Sequence, residues 1–146
     1  MEIVKMTSDH VAQVAQLEQL CFSAPWSEKA VAGELTNSLS CWLVAVDGEK
    51  VCGYVGSQAV LGEADMMNIA VCPDYRQQGV ARRLVEQLIV ELKNAKNYQL
   101  TLEVRASNTP AISLYEKLGF QQVGCRPKYY AKPTEDALIL RKEWEV

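Results

Sequence analysis

Asn68 to Leu84, NIAVCPDYRQQGVARRL, is the stretch that decides how this chain folds. An apolar run enters it, Pro73 breaks that run, a polar turn follows, and Gly79 opens an amphipathic helix. The first N–H groups of a helix have no partner within it and carry partial positive charge. A turn that aims consecutive N–H groups at one spot makes an anion site suited to a pyrophosphate. Gly79 has no Cβ, so a phosphate can approach the backbone closely. An ordinary turn into a surface helix has the same composition, and the short pattern alone leaves both readings open.

Working outward, Gly79 to Lys93 is the strongest helix, with Val80, Leu84, Val85, Leu88, Ile89 and Leu92 on one apolar stripe. Glu63 to Val71 reads as the strand before it. Leu100 to Val104 reads as the strand after it, with Thr101, Glu103 and Arg105 facing away from Leu100, Leu102 and Val104. A strand, helix and strand in that order predict a right-handed parallel unit. Upstream, Glu2 to Met6 reads as a short strand. Ser8 or Asp9 can cap a helix that buries Val11, Val14, Ala15 and Leu17, and Ser27 can cap a second one running through Leu35. Cys41 to Val46 and Val51 to Val60 flank Asp47-Gly48, a hairpin signal. Downstream, Thr109 as cap, Pro110 and Gly119 bracket a short helix. Phe120 to Arg126 and Ala137 to Arg141 close the pattern as strands. This order predicts a mixed α/β arrangement around one sheet, with ligands at the strand ends where neighbours diverge.

The 146 residues suit one domain with a sizeable core. A formal net charge of −3 and the lack of a basic stripe do not favour nucleic acid. The N-terminus carries an early acid and no long apolar core, unlike a signal peptide. Five cysteines without a C-x-x-C, and a single histidine, read as reduced thiols in a cytoplasmic protein rather than as metal ligands.

Two motifs stand in order along the chain. Arg76-Gln77-Gln78-Gly79-Val80-Ala81 fits Arg/Gln-x-x-Gly-x-Gly/Ala. Asn108-x-x-Ala111-x-x-Leu114-Tyr115-x-Lys117-x-Gly119-Phe120 fits N-x-x-A-x-x-L-Y-x-x-x-G-F. Together they resemble the signatures of the GNAT family of N-acetyltransferases, and the resemblance covers essentially the whole chain. It implies one α/β domain over residues 1–146, a mixed and mostly antiparallel sheet flanked by four helices. It implies acetyl-coenzyme A as cosubstrate and no metal. It assigns the amides of Gln77, Gln78, Gly79, Val80, Ala81 and Arg82 to the pyrophosphate. It assigns the backbone of Ile69, Ala70 and Val71, on a bulged strand, to the cofactor's arm and the acetyl oxygen, and Asn108 to the same arm. Residue by residue, Asn108 also reads as a loop or cap asparagine. Arg82 and Arg83 can add charge near a phosphate or form a solvated helix face.

Acetyl transfer to an amine needs a base for the amine, a donor for the oxyanion and, as the thiolate leaves, a proton. His10 lies far from both motifs and reads as a surface or capping residue. Glu103 is the candidate base, a lone carboxylate in an apolar strand near its end; partial burial raises a carboxylate's pKa. A salt bridge to Arg105 is the competing reading. Tyr115 is the candidate acid near the thioester sulfur; as a plain core aromatic it would look the same. Direct transfer needs no nucleophile, so Cys72 reads as a small filler.

The segment Cys21 to Ser27 lies where the family builds its acceptor-side wall, and Tyr129-Tyr130 with Glu135-Asp136-Ala137 lies between the last two strands. Both resemble members that acetylate the N-terminal alanine of a small-subunit ribosomal protein (number eighteen), which implies such an N-terminal segment as partner. Tyr130 and Trp26 can flank an extended peptide, and ordinary packing explains Trp26 equally well. Glu63 and Asp65 can attract a basic tail or simply form a solvated strand end. The alternatives are a family member acting on lysine or a small amine, and a non-catalytic module that binds acetyl-coenzyme A.

Overall fold

A computed structural model of the chain describes residues 1–145. Its strands are β1 (Glu2–Lys5), β2 (Ser40–Asp47), β3 (Lys50–Val60), β4 (Glu63–Val71), β5 (Gln99–Arg105), β6 (Gln121–Tyr130) and β7 (Glu135–Glu143). They form one sheet in the order β1-β2-β3-β4-β5-β7-β6. The α-helices are α1 (Val11–Cys21), α2 (Glu28–Gly33), α3 (Val80–Asn94) and α4 (Thr109–Lys117). Every neighbouring pair of strands is antiparallel except β4 and β5, which the α3 crossover makes parallel.

Strand periodicity divides the core in two. Leu43, Ala45 and Val55 turn to one face, where Val80, Leu84, Val85, Leu88, Ile89 and Leu92 of α3 meet Tyr115 and Phe120. Trp42, Val44 and Tyr54, one residue out of phase, turn to the other face under Val11, Val14, Leu17 and Val31 of α1 and α2. The sheet is thus sandwiched between two helical layers, and the apolar stripe read on α3 is buried in full.

Two caps sit one position earlier than the sequence suggested. A 3-10 turn over Ser8–His10 precedes α1, with Thr7 at its cap position, and His10 Nδ1 accepts the Thr7 N–H at 3.0 Å. Asn108 rather than Thr109 caps α4, in line with its alternative reading as a cap asparagine, its Oδ1 accepting the Ala111 N–H at 3.3 Å. Ser27 caps α2 as expected, its Oγ accepting the Ala30 N–H at 3.0 Å.

Two features of the sheet make the site. β4 and β5 pair only over Glu63↔Gln99, Ala64↔Leu100 and Asp65↔Thr101, and beyond that register they part. Opposite β3, the register slips between Gly56 and Ser57, leaving Met67 as the extra residue of a bulge in β4. A bulge bends its strand, which suits the divergence from β5. Gly56 sits across from it with the Trp42 indole laid against its backbone. A Cβ there would come within 2.3 Å of that ring, so no larger residue fits without displacing the indole.

β6 runs to Tyr130, four residues past the end expected from sequence. Pro127 and the left-handed Lys128 (φ 53°) interrupt its pairing with β7, and pairing resumes at Tyr130↔Glu135. Those two residues hid the continuation, so Tyr129 and Tyr130 lie at a strand end rather than in a free loop. Among the described residues, no helix is long and apolar enough to cross a membrane.

Candidate active site

The donor side is built from backbone. Gly79 takes a left-handed conformation (φ 78°) at the start of α3, and Gln77 does so too (φ 62°). The turn's last bond is Arg76 N–H to Pro73 O at 3.4 Å, and the helix's first is Arg83 N–H to Gly79 O at 3.1 Å. Between them, the N–H groups of Gln77, Gln78, Gly79, Val80, Ala81 and Arg82 find no acceptor among the described residues. These are the amides that the family resemblance assigns to a pyrophosphate. No atom lies within 4 Å of where a Gly79 Cβ would stand, so the approach is open.

The side chains around this turn are engaged elsewhere. Gln78 Nε2 donates to Asp74 O at 3.2 Å. Arg82 lies 3.6 Å from Glu86, and Arg83 donates to Met1 O at 3.2 Å. The solvated-face reading therefore describes both arginines in this state.

Next to this loop, Ile69, Ala70 and Val71 pair with Val55, Tyr54 and Gly53 of β3. Their other edge, facing β5, has no strand partner past Asp65. An extended ligand arm can add to such an edge by backbone hydrogen bonds. Asn108 stands after β5; its Oδ1 is used by the cap, which leaves its amide group as a donor. The cap reading and the arm-binding reading are thus compatible.

The acceptor side is built from side chains. Glu103 lies on β5 beyond the point where β4 departs, with its side chain 28% exposed. Arg105, the ion partner of the competing reading, is drawn off instead: it pairs with Glu135 at 3.3 Å and donates to Pro133 O at 2.9 Å. Arg126 of β6 takes that place, its Nε 3.3 Å from Glu103 Oε1. Register explains this, because Arg126 and Arg105 both flank Ala137 of β7 from opposite sides. Glu135 also accepts the Ser107 N–H at 2.6 Å. The Ser107 side chain first, then that N–H and Arg105, hold its carboxyl below the usual range against the effect of burial. The loop that carries Asn108 is therefore tied to β7.

Tyr115 is buried in the α3–α4 core, edge-on to Phe120 with ring centroids 5.6 Å apart. Burial, and then the nearby Tyr130 phenol, push its hydroxyl up to about 12. Tyr130 is pushed up to about 12 as well, by burial first, with Tyr129 and Glu103 adding to it. Its ring lies under the Arg105 guanidinium at 4.4 Å. The fold thus brings Tyr130 into electrostatic reach of both Tyr115 and Glu103. Trp26 lies on the other face, its ring edge-on to Trp42 at 5.4 Å, so packing holds the indole there.

One cluster escaped the sequence reading. Glu18 of α1 is wholly buried, its carboxylate accepting from Trp26 N–H, Tyr54 O–H and Asn68 Nδ2. The signal was present: Glu18 falls on the apolar face with Val11, Val14, Ala15 and Leu17, where a carboxylate is out of place. Among the described residues, no group of three or more His, Cys, Asp or Glu could hold a metal ion.

Comparison with known proteins supplies the class. Residues 11–120 match the model of the acetyltransferase (GNAT) family. The chain is similar to the [ribosomal protein bS18]-alanine N-acetyltransferase of Escherichia coli K12, with 44% identity over 128 residues, 85% of this chain and 84% of that one. The enzyme of the same name from Haemophilus influenzae is 37% identical over 131 residues, 86% of each chain. The crystal structure of the ribosomal-protein-S18-alanine N-acetyltransferase from Escherichia coli superimposes with a TM-score of 0.90 at 37% identity, covering 99% of this chain and 94% of that one. The fold, the two motifs and the family match agree: the chain is an acyltransferase that belongs to the GNAT family and draws its acetyl group from acetyl-coenzyme A.

Proposed function

We propose that the chain acetylates the N-terminal α-amino group of a protein, specifically the N-terminal alanine of ribosomal protein bS18, in the cytoplasm. The observation that carries this reading is the gap between β4 and β5, with unpaired strand edge on one side and Glu103 on the other. The similarity to enzymes named for that substrate supports it.

The residues divide the work as follows. The N–H groups of Gln77 to Arg82 hold the pyrophosphate, and the free edge of Ile69 to Val71 with Asn108 aligns the arm. A backbone N–H near Val71 donates to the carbonyl oxygen as it gains charge. Glu103 accepts the amine's proton, directly or through one water, while the nitrogen bonds to the carbonyl carbon and the carbon–sulfur bond breaks. Tyr130 and the segment around Trp26 flank the incoming peptide.

Magnitudes favour an α-amine. It titrates at about 7.7–8.0 against about 10.4 for lysine, so deprotonating lysine near neutral pH costs roughly 3 kcal/mol more. A partly exposed carboxylate that already carries an arginine partner suits the easier task. Tyr115, at about 12, stays protonated and can donate to the departing sulfur. Complete transfer to a thiolate, whose thiol titrates at about 8.5, is uphill by roughly 5 kcal/mol. Its contribution is therefore chiefly a hydrogen bond as the sulfur leaves, with the proton delivered late.

The test is a peptide that begins with alanine and carries one internal lysine. It is incubated with acetyl-coenzyme A and sequenced by fragment mass spectrometry. Acetyl on the terminal nitrogen alone is expected. Acetyl on the lysine, or on neither group, would overturn the assignment.

A further inference from the structure

Glu18 is a costly residue to place where it is. A carboxylate cut off from water carries a heavy desolvation penalty, and a well-packed apolar side chain in its place is often at least as stable. Its value is therefore not explained by stability. Its partners are all donors and come from different elements. Oε1 accepts the Trp26 N–H at 2.8 Å and Asn68 Nδ2 at 3.1 Å, and Oε2 accepts Asn68 Nδ2 at 2.9 Å and the Tyr54 hydroxyl. Burial and then the Glu18 hydrogen bond push the Tyr54 phenol well above its ordinary value, so it remains a donor.

The geometry at both ends is specific. Glu18 closes the segment Phe22 to Trp26 twice: its backbone carbonyl takes the Phe22 N–H at 3.0 Å, and its carboxylate takes the Trp26 N–H. Asn68 lies directly after the bulged Met67 and directly before Ile69. One side chain thus joins the segment between α1 and α2 to the point on β4 where the strand bends. The Tyr54 ring adds a third tie, stacked on Trp42 at 5.9 Å, and Trp42 packs against Trp26.

We propose that Glu18 is a positioning residue: it sets the acceptor-side wall around Trp26 against the β4 bulge, so that a peptide's terminal amine meets the acyl donor in register. This rests on the reading that the Trp26 segment borders the acceptor. A misplacement of about 1 Å can cost on the order of 10²-fold in rate.

Glu18→Gln tests it, since the new amide offers hydrogens to neighbours that are already donors. The readouts are acetyl-coenzyme A affinity by calorimetry, the KM and kcat for the alanine peptide, and hydrogen exchange of the amides over residues 22–27. The proposal expects an unchanged acetyl-coenzyme A affinity, a peptide KM raised about tenfold or more, and faster exchange over 22–27. An unchanged peptide KM would overturn it. So would a parallel loss of donor affinity, which would mark a general loosening of the fold. If Glu18→Gln does not fold, Tyr54→Phe, which keeps the stacked ring, is judged by the same criteria. Failure of the wild-type protein to acetylate the peptide's α-amine would sink the functional reading instead. Exchange over 22–27 would then judge the tie alone, and an unchanged rate would overturn it.

Discussion

The two sides of the β4–β5 gap use different materials. On the donor side, we assign recognition to backbone: the unpaired N–H groups of Gln77 to Arg82 and the free edge of Ile69 to Val71. The nearby side chains of Gln78, Arg82 and Arg83 bond to other parts of the chain. On the acceptor side, single side chains would carry the chemistry: we assign it to Glu103, Tyr115 and Tyr130, with Glu18 in a positioning role. A site made of backbone tolerates most substitutions and fails only where the backbone conformation itself is special. A site made of side chains fails one atom at a time.

Mutations should expose this contrast. The largest effect is expected from Glu103→Gln, with kcat/KM for an alanine peptide falling on the order of 10²–10⁴-fold. Acetyl-coenzyme A affinity should stay unchanged, as steady-state kinetics beside calorimetry would show. Tyr115→Phe should cost less, roughly 10–100-fold in kcat, because its part is a hydrogen bond and not an obligatory proton. Loss on that scale for Tyr115 and none for Glu103 would reverse the assigned roles.

On the donor side, Gly79→Ala forces a side chain into φ 78° at about 1–2 kcal/mol. It should weaken acetyl-coenzyme A binding about tenfold, whereas Arg82→Ala should change it less than threefold. Equal losses would mean that side-chain charge, not backbone, holds the phosphates.

The smallest effect concerns pH. Burial opposes ionisation of Glu34, but hydrogen bonds from Gln58, Asn37 and Trp42 outweigh it and leave its carboxyl below the usual range. Lowered in the folded state, this group adds stability that is complete above the unfolded value of about 4.3. That stability is lost as pH falls through the folded value. Glu34→Gln should therefore narrow the drop in Tm between pH 7 and pH 3.5, and an unaltered drop would show that folding does not favour the ionised Glu34.

What the sequence revealed follows the same division. Gly79 and the α3 stripe were legible because glycine at a strand-to-helix turn and a helical apolar period have direct physical meaning. Thr101, Glu103 and Arg105 were rightly placed on one strand face. The partner of Glu103 was not legible, because Arg126 reaches it through β7, and cross-strand register cannot be read from one strand. The Met67 bulge is a backbone event with no side-chain signature. Glu18 was legible in principle, as a carboxylate on an apolar stripe, but its partners lie on elements far apart in the chain. Thr7 and Asn108, rather than the residues after them, took the caps, a one-residue difference typical of helix ends.

The most direct measurement is the structure of the protein bound to a conjugate in which an alanine peptide is joined through its α-nitrogen to coenzyme A. The expected result has the pyrophosphate on the N–H groups of Gln77 to Arg82, the arm along Ile69 to Val71, and the α-nitrogen within hydrogen-bond reach of Glu103, directly or through one water. A conjugate whose nitrogen lies away from Glu103, or whose arm leaves the edge of β4 unpaired, would contradict it.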